Sequence, residues 1–479
     1  MQWVTRGILG LMVLAAVLVL VFGPRGQSAT PEGRVRIQYW EKWTGNEADQ
    51  MRQIVNDFNK TVGADKGIFV EYISMSSVNQ KTLVATAAGV PPDVAGVWES
   101  QVQQFAAMDA LYPLDEMANG RGLTRDYYKP VYYEGCRYDN TLWALPSTPA
   151  ASALHWNKRL FAEKARELRA AGLDPDRPPQ TLDELDRYAA ILDTFEDTGG
   201  KRRVKSAGYI PLEPGWFIAH TPYWFGGSVY DPDTGRLKFT DPKTIAAFDW
   251  VRSYSEKLGR DSMTEFRSGL GGFNSTQNPF LTGDVAMVLQ GPWMANYIEN
   301  LKPSMNRYKM SKEEEKKLPR EERKQNYEWG AAPFPSAVPG LENVAYAGMD
   351  VLMIPRGSKH PNEAFEFIAY VQRQDVMERI NSMHCKNSPL TNVSESFLDN
   401  HPNPYIDVFD KLASSPNARG VPQTPVWPEI NDELSNASQR VYLLEAPTQQ
   451  IMAEAEKRAQ EKLDRFNARQ KQRLADSNH

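Results

Sequence analysis

Four short stretches set a tryptophan beside carboxylates or amides: Glu41-Lys42-Trp43, Trp98-Glu99-Ser100-Gln101, Glu213-Pro214-Gly215-Trp216 and Gln290-Gly291-Pro292-Trp293. A fifth tryptophan, Trp427, lies between Pro425 and Pro428. An indole is a broad apolar plate, and a neighbouring carboxylate or amide supplies fixed acceptors and donors. Together they suit a guest with apolar C–H faces and a hydroxyl-rich edge, which is the chemistry of a sugar. Each indole alone has an ordinary use in core packing. Five in predicted loops point to a cleft lined by at least two of them.

Other chemistries find little support. The six histidines, at 155, 220, 360, 384, 401 and 479, include no pair at helical ligand spacing, so an HExxH zinc site is absent. Two cysteines exclude a disulfide framework and a Cys-rich metal site. No G-x-S-x-G elbow, P-loop or G-x-G-x-x-G fingerprint is present. Paired carboxylates suit glycoside hydrolysis, but among 60 acidic residues some pair always looks suitable. No cofactor or resident metal is expected. Cys136 and Cys385 both lie beside predicted breaks and could form one bridge in an oxidising compartment; two unpaired thiols are the alternative.

The elements that must position these residues follow from length and pattern. A chain of 479 residues exceeds one ordinary core, so two lobes are expected. Hydrophobic residues at 41% and charged residues at 24% exclude wholesale disorder. A net charge of -5 is a poor match to nucleic acid. Arg6, the apolar run 8–22 and Gly23-Pro24 make residues 1–28 an export signal or a retained N-terminal membrane anchor. The protein is therefore expected to be periplasmic or otherwise extracytoplasmic.

Strands at 35–40, 68–73 and 94–98 alternate with helices at 46–60 and up to 88, the rhythm of an open parallel α/β sheet. Ligands gather at the carboxyl ends of such strands, where Trp43 and Trp98 fall. A second unit begins after 143–146, with a strand at 153–157 and a helix at 158–171. Thr181 caps a helix at 182–194, with Glu184 in the capping-box position, and another helix spans 242–258. The alternating charges of 312–324 predict a solvated insertion. A proline-rich link covers 331–340. A strand at 347–354, a helix at 362–372 and a break at 382–389 follow. A charged helix runs from 448 to about 465, with the last dozen residues frayed.

Several ordered motifs resemble a known family. Residues 280–293 (FLTGDVAMVLQGPW) are similar to F-x-x-G-x-x-A-M-x-x-x-G-x-W of the family 1 extracellular solute-binding proteins of ABC importers, the maltose- and glycerol-phosphate-binding type. Residues 142–146 (LWALP), 154–161 (LHWNKRLF), 179–185 (PQTLDEL) and 92–97 (PDVAGV) resemble further family elements. The resemblance runs from about 34 to about 463. It implies a two-lobe α/β periplasmic-binding-protein fold with a hinge: 34–145 plus 340–382 as one lobe, 146–335 plus 386–465 as the other, with a charged insertion at 303–328. The chain would cross between lobes near 145, 335 and 385.

The resemblance further implies a monomeric, non-catalytic receptor that delivers an oligosaccharide or other polar small molecule to an ABC permease. A membrane-anchored sugar sensor and a carbohydrate-active enzyme are the alternatives. Glu41, Trp43, Trp98, Glu99 and Trp293 match family contact positions. Glu213 and Trp216 match a second-lobe loop with altered spacing, and Trp427 resembles a C-terminal cleft aromatic. Asp350 stands in a segment that is usually glycine-rich, a departure expected to alter specificity.

Overall fold

The computed structural model describes residues 30–212, 215–307, 309–315 and 317–477. The expected export segment lies outside them. Among the described residues, no helix is long and apolar enough to cross a membrane. Two sheets are built from β1 (Val35–Glu41), β2 (Ile68–Ser74), β3 (Val94–Trp98), β4 (Ala144–Ala151), β5 (Ala153–Asn157), β6 (Thr194–Thr198), β7 (Lys201–Tyr209), β8 (Val285–Gln290), β9 (Trp329–Ala332), β10 (Ala345–Met353) and β11 (Ala418–Arg419).

In the first sheet β1, β2 and β3 are parallel, with Glu41 opposite Ser74 on one side and Gly96 on the other. Parallel pairing requires crossover connections, and helices supply them. The helix Gly45–Lys60 turns Ala48, Met51, Ile54, Val55 and Phe58 inward at helical spacing. Its Phe58 meets Phe367 edge-on at 5.3 Å. β10 adds antiparallel to β3, and β4 lies on the other side of β10. β4 carries Pro146 and Pro149, which an edge strand tolerates because its outer side needs no ladder donors. Met349 faces Pro149 and Val351 faces Pro146, so two β4 residues oppose Asp350. Such a bulge re-aims side chains locally.

The second sheet has the order β9-β5-β8-β7-β6. Its helix Leu182–Leu192 starts at Thr181, whose hydroxyl accepts from the Glu184 N–H at 3.1 Å. The helix Pro242–Leu258 follows the predicted bounds.

Three passages join the sheets. β4 runs into β5 through Ser152, which is held to Tyr346 of β10 by two hydrogen bonds. β9 leads to β10 through residues 333–344, where the Trp224 indole donates to the Val344 carbonyl. The third passage begins at His384-Cys385-Lys386-Asn387 and is still held to the first lobe at Thr391, whose N–H bonds the Tyr127 carbonyl. It reaches the second by Asn403, whose amide donates to the Pro292 carbonyl at 2.9 Å.

Four features depart from expectation. The cysteines are separate buried thiols, not a bridge. Cys136 closes the helix Pro130–Gly135 within the first lobe, whereas Cys385 donates to Asn296 of the second-lobe helix Met294–Leu301. The helix predicted at 158–171 is two, Lys158–Glu163 and Ala165–Ala170. The last helix continues to Ser477, and Gln470 donates to the Ala107 carbonyl of the first lobe. The charged insertion is pinned from inside: buried Glu315 accepts from Asn326 and Tyr327. Charge alternation showed its outer face only.

Asn387 ties the third passage to the first: its carbonyl accepts from the Ala151 N–H and its amide donates to the Tyr132 hydroxyl, all buried. Replacing Asn387 by Ala leaves both partners unsatisfied, at roughly 1–3 kcal/mol each. Urea unfolding of Asn387→Ala is expected to show a stability loss of about 2–4 kcal/mol. A loss below ~1 kcal/mol would contradict this role.

Candidate functional site

β1 and β3 end side by side, and the residues leaving their carboxyl ends are Glu41-Lys42-Trp43 and Trp98-Glu99. The Glu41 side chain fits between these strands only because Gly96 has no side chain: a Cβ there would lie 1.8 Å from Glu41 Oε2. Buried Glu41 accepts from the Tyr39 hydroxyl and the Lys42 N–H. Burial raises the Glu41 carboxyl pKa, and the Lys42 ammonium, 3.3 Å away, opposes the rise.

Asp350, turned inward at the bulge, collects three donors. Lys42 Nζ is 2.9 Å from Oδ1; Lys386 Nζ at 3.0 Å and the Thr148 hydroxyl at 2.7 Å reach Oδ2. Burial works against its charge, but Lys386, Lys42 and Thr148 hold the carboxyl well below the usual carboxylate range. For Lys42, burial opposes the charge while Asp350 and Glu41 outweigh it, so its pKa rises.

Around these charges stand three indoles. Lys42 Nζ lies 4.9 Å from the Trp43 ring centre and 5.6 Å from that of Trp98. Lys386 Nζ lies 5.7 Å from Trp43 and 6.0 Å from Trp293. Trp43 is only 5% exposed and meets the His384 ring edge-on at 4.7 Å, whereas Trp98 is 50% exposed. Trp293 comes from the second lobe, and its indole N–H donates to Gln290. Its ring folds back over Gly291, where a Cβ would sit 2.3 Å from it. That close approach is the physical content of the G-x-W spacing.

Glu41, Trp43, Trp98, Trp293 and Asp350 thus share one cluster at the junction of the lobes. Glu99 and Trp427 occupy an adjoining buried pack. Glu99 Oε1 accepts weakly from the Val421 N–H at 3.4 Å and the Tyr346 hydroxyl at 3.5 Å. Burial, and then the Asp350 charge, push its carboxyl up to about 8 against the opposing hydrogen bonds. Tyr346 stacks on His220 at 3.9 Å, and Trp427, 3% exposed, lies 6.2 Å beyond His220. Glu213 and the Trp216 side chain lie outside the described residues.

Sequence reasoning did not single out Lys42, Thr148, His384 or Lys386. Lys42 sits inside the Glu-Lys-Trp triplet and was legible there. The other three reach the site from β4 and the third passage, which no local pattern announces. Among the described residues, no group of three or more His, Cys, Asp or Glu is placed to hold a metal ion. A surface hollow of about 670 Å³, lined by residues that include Lys201, Arg203, Arg260 and Glu265, contains none of the cluster. It is open surface beside β7, away from the buried polar junction.

Two α/β lobes, three connecting passages and a polar, indole-lined junction define a two-lobe binding protein of the periplasmic type. A family model described as bacterial extracellular solute-binding protein matches residues 44–378, and the chain belongs to that family. A binding protein of Brucella abortus is 22% identical over 390 residues, covering 81% of this chain and 84% of that one. A maltotriose-binding protein of Pyrococcus abyssi is 19% identical over 342 residues, covering 71% of this chain and 62% of that one. The fold is similar to that of a protein solved with mannobiose bound, with a TM-score of 0.71, 24% identity and coverage of 89% of this chain and 100% of that one. It is also similar to the sugar-binding protein MalE of Xanthomonas citri, with a TM-score of 0.69, 20% identity and coverage of 90% and 98%.

The buried Glu99 makes a pH-dependent prediction. Its folded pKa of about 8 exceeds the ordinary value of 4.5, so the folded state keeps a proton that the unfolded chain releases. Wild-type stability therefore falls, relative to Glu99→Gln, as pH rises from about 4.5 to about 8, by roughly 1.4 kcal/mol per pH unit. Paired denaturant titrations at pH 5, 6.5 and 8 should show Glu99→Gln gaining progressively. A pH-independent difference would show that Glu99 is ionised in the fold.

Proposed function

We propose that this protein captures a carbohydrate between its lobes and, without transforming it, delivers it to an ABC permease on the outer side of a membrane. The observation that supports this most directly is the junction itself. Trp43 and Trp98 from one lobe and Trp293 from the other surround a polar centre with matched charges, Lys42 and Lys386 against Glu41 and Asp350. Indole faces suit sugar C–H faces, and fixed donors and acceptors suit hydroxyls. Because each ammonium is already neutralised, an uncharged oligosaccharide fits better than an organophosphate, which calls for uncompensated cations.

The lobes hinge at the three passages, and closing brings surfaces of both into one shape that a permease can read. Residues 1–28 direct export and are either removed or kept as an anchor. The names of similar proteins, which include mannobiose and maltotriose binding, supply the first ligands to try.

The test is a titration of neutral oligosaccharides, beginning with mannobiose and maltotriose, followed by tryptophan fluorescence. Trp98→Ala and Trp293→Ala are each expected to weaken binding of the best ligand by ~1–3 kcal/mol. Unchanged affinity in both variants would reject stacking at this junction. Conversion of the ligand to shorter products would favour an enzyme over a receptor.

A further inference from the structure

The loop His384-Cys385-Lys386-Asn387 is where the two lobes hold one short stretch of chain from opposite sides. Cys385 donates its thiol to Asn296 of the second lobe at 3.1 Å. Two residues on, Asn387 bonds the Ala151 N–H of β4 at 3.0 Å and the Tyr132 hydroxyl at 2.9 Å. Cys385 adopts a left-handed φ of 51°, a conformation a side chain of this kind takes only when its surroundings enforce it. Lys386 stands between these two anchors, and its own carbonyl lies 3.2 Å from His401 Nε2.

The ammonium of Lys386 has three N–H donors. One meets Thr148 Oγ1 and one meets Asp350 Oδ2, each at 3.0 Å. Both acceptors belong to the paired strands β4 and β10, where the first passage starts and the second ends. Among the described residues the third donor meets no acceptor. Nζ lies 5.7 Å from the Trp43 ring centre and 6.0 Å from that of Trp293, and the side chain is only 8% exposed. An almost buried donor left without an acceptor is unfavourable, so an incoming oxygen there is favoured. The surrounding charges are already paired, which selects a neutral hydroxyl or ether oxygen over a carboxylate or phosphate.

We propose that Lys386 is a specificity-determining residue of the binding site, donating its third N–H to one hydroxyl of a neutral sugar ring seated at the Trp43–Trp293 junction. Its loop is held from both lobes, by Asn296 on one side and by Ala151 and Tyr132 on the other. The inference rests on the carbohydrate-binding reading above but adds a contact that reading does not need.

The experiment uses the tightest-binding sugar of the panel and its set of monodeoxy derivatives, measured by calorimetry on the wild-type protein, Lys386→Met and Lys386→Gln. Lys386→Met keeps the aliphatic stem and leaves Asp350 with Lys42 and Thr148. It is expected to weaken the parent sugar about 10- to 100-fold. One deoxy derivative should lose a similar factor against the wild-type protein and nothing further against Lys386→Met. The other derivatives should keep their penalties in both proteins, a selectivity that general loosening of the site does not produce. Equal affinity of both variants and wild type for the parent sugar overturns the proposal. So does a uniform ratio between variant and wild type across all derivatives. If Lys386→Met does not fold, by circular dichroism and thermal melting, Lys386→Gln carries the same comparison. Failure of every panel sugar to bind the wild-type protein would instead remove the underlying carbohydrate reading.

Discussion

The arrangement depends on one buried carboxylate. Asp350 accepts from Lys42, Lys386 and Thr148, which come from the loop after β1, the third passage and β4. A lone charge in this interior would be costly, and so would either ammonium without it. Together they form a charge-balanced knot that holds three separate pieces of chain in register. The indoles are arrayed around this knot. Trp43 faces both ammoniums, Trp98 extends toward solvent from Lys42, and Trp293 approaches Lys386 from the other lobe.

The fold supplies that knot through simple devices. Parallel strands deliver their carboxyl ends to one edge, so Glu41 and Trp98 arrive together. A bulge against β4 re-aims Asp350 and Thr148 at a place where an ideal ladder would alternate them. Glycine at 96 and 291 makes room for Glu41 and for the Trp293 ring. The passages between lobes are each closed by a few hydrogen bonds: Ser152 to Tyr346, Trp224 to Val344, and Asn387 to Ala151.

Much of the site was readable beforehand. Trp43, Trp98 and Trp293 stood out because aromatic residues beside carboxylates and amides in predicted loops are unusual. The alternating strand and helix rhythm placed two of them at carboxyl ends. Glu99 and Trp427 were readable as chemistry but not as position. Glu99 follows directly on Trp98, yet the 3-10 turn Glu99–Gln101 swings its carboxyl behind β10 into an aromatic pack. Trp427 begins a helix and settles near His220 in the same pack. The two cysteines looked close because both flank breaks, but proximity of breaks along a chain does not align thiols in space.

The sequence by itself determined the element types, the two-lobe class and the identity of three indoles and two carboxylates at the junction. The element types follow from hydrophobic period and turn residues, which are properties of neighbours along the chain, whereas the two-lobe class and Asp350 rest on the ordered motifs that resemble the solute-binding family. Tertiary structure alone decided that Lys386, Thr148 and His384 join them, that Asp350 is ionised, and that Glu99 is kept protonated at neutral pH. These outcomes depend on burial and on charges brought together from segments more than two hundred residues apart, such as Lys42 and Asp350. The free energy of a buried charge is set by what surrounds it in space, and no local stretch of sequence records that.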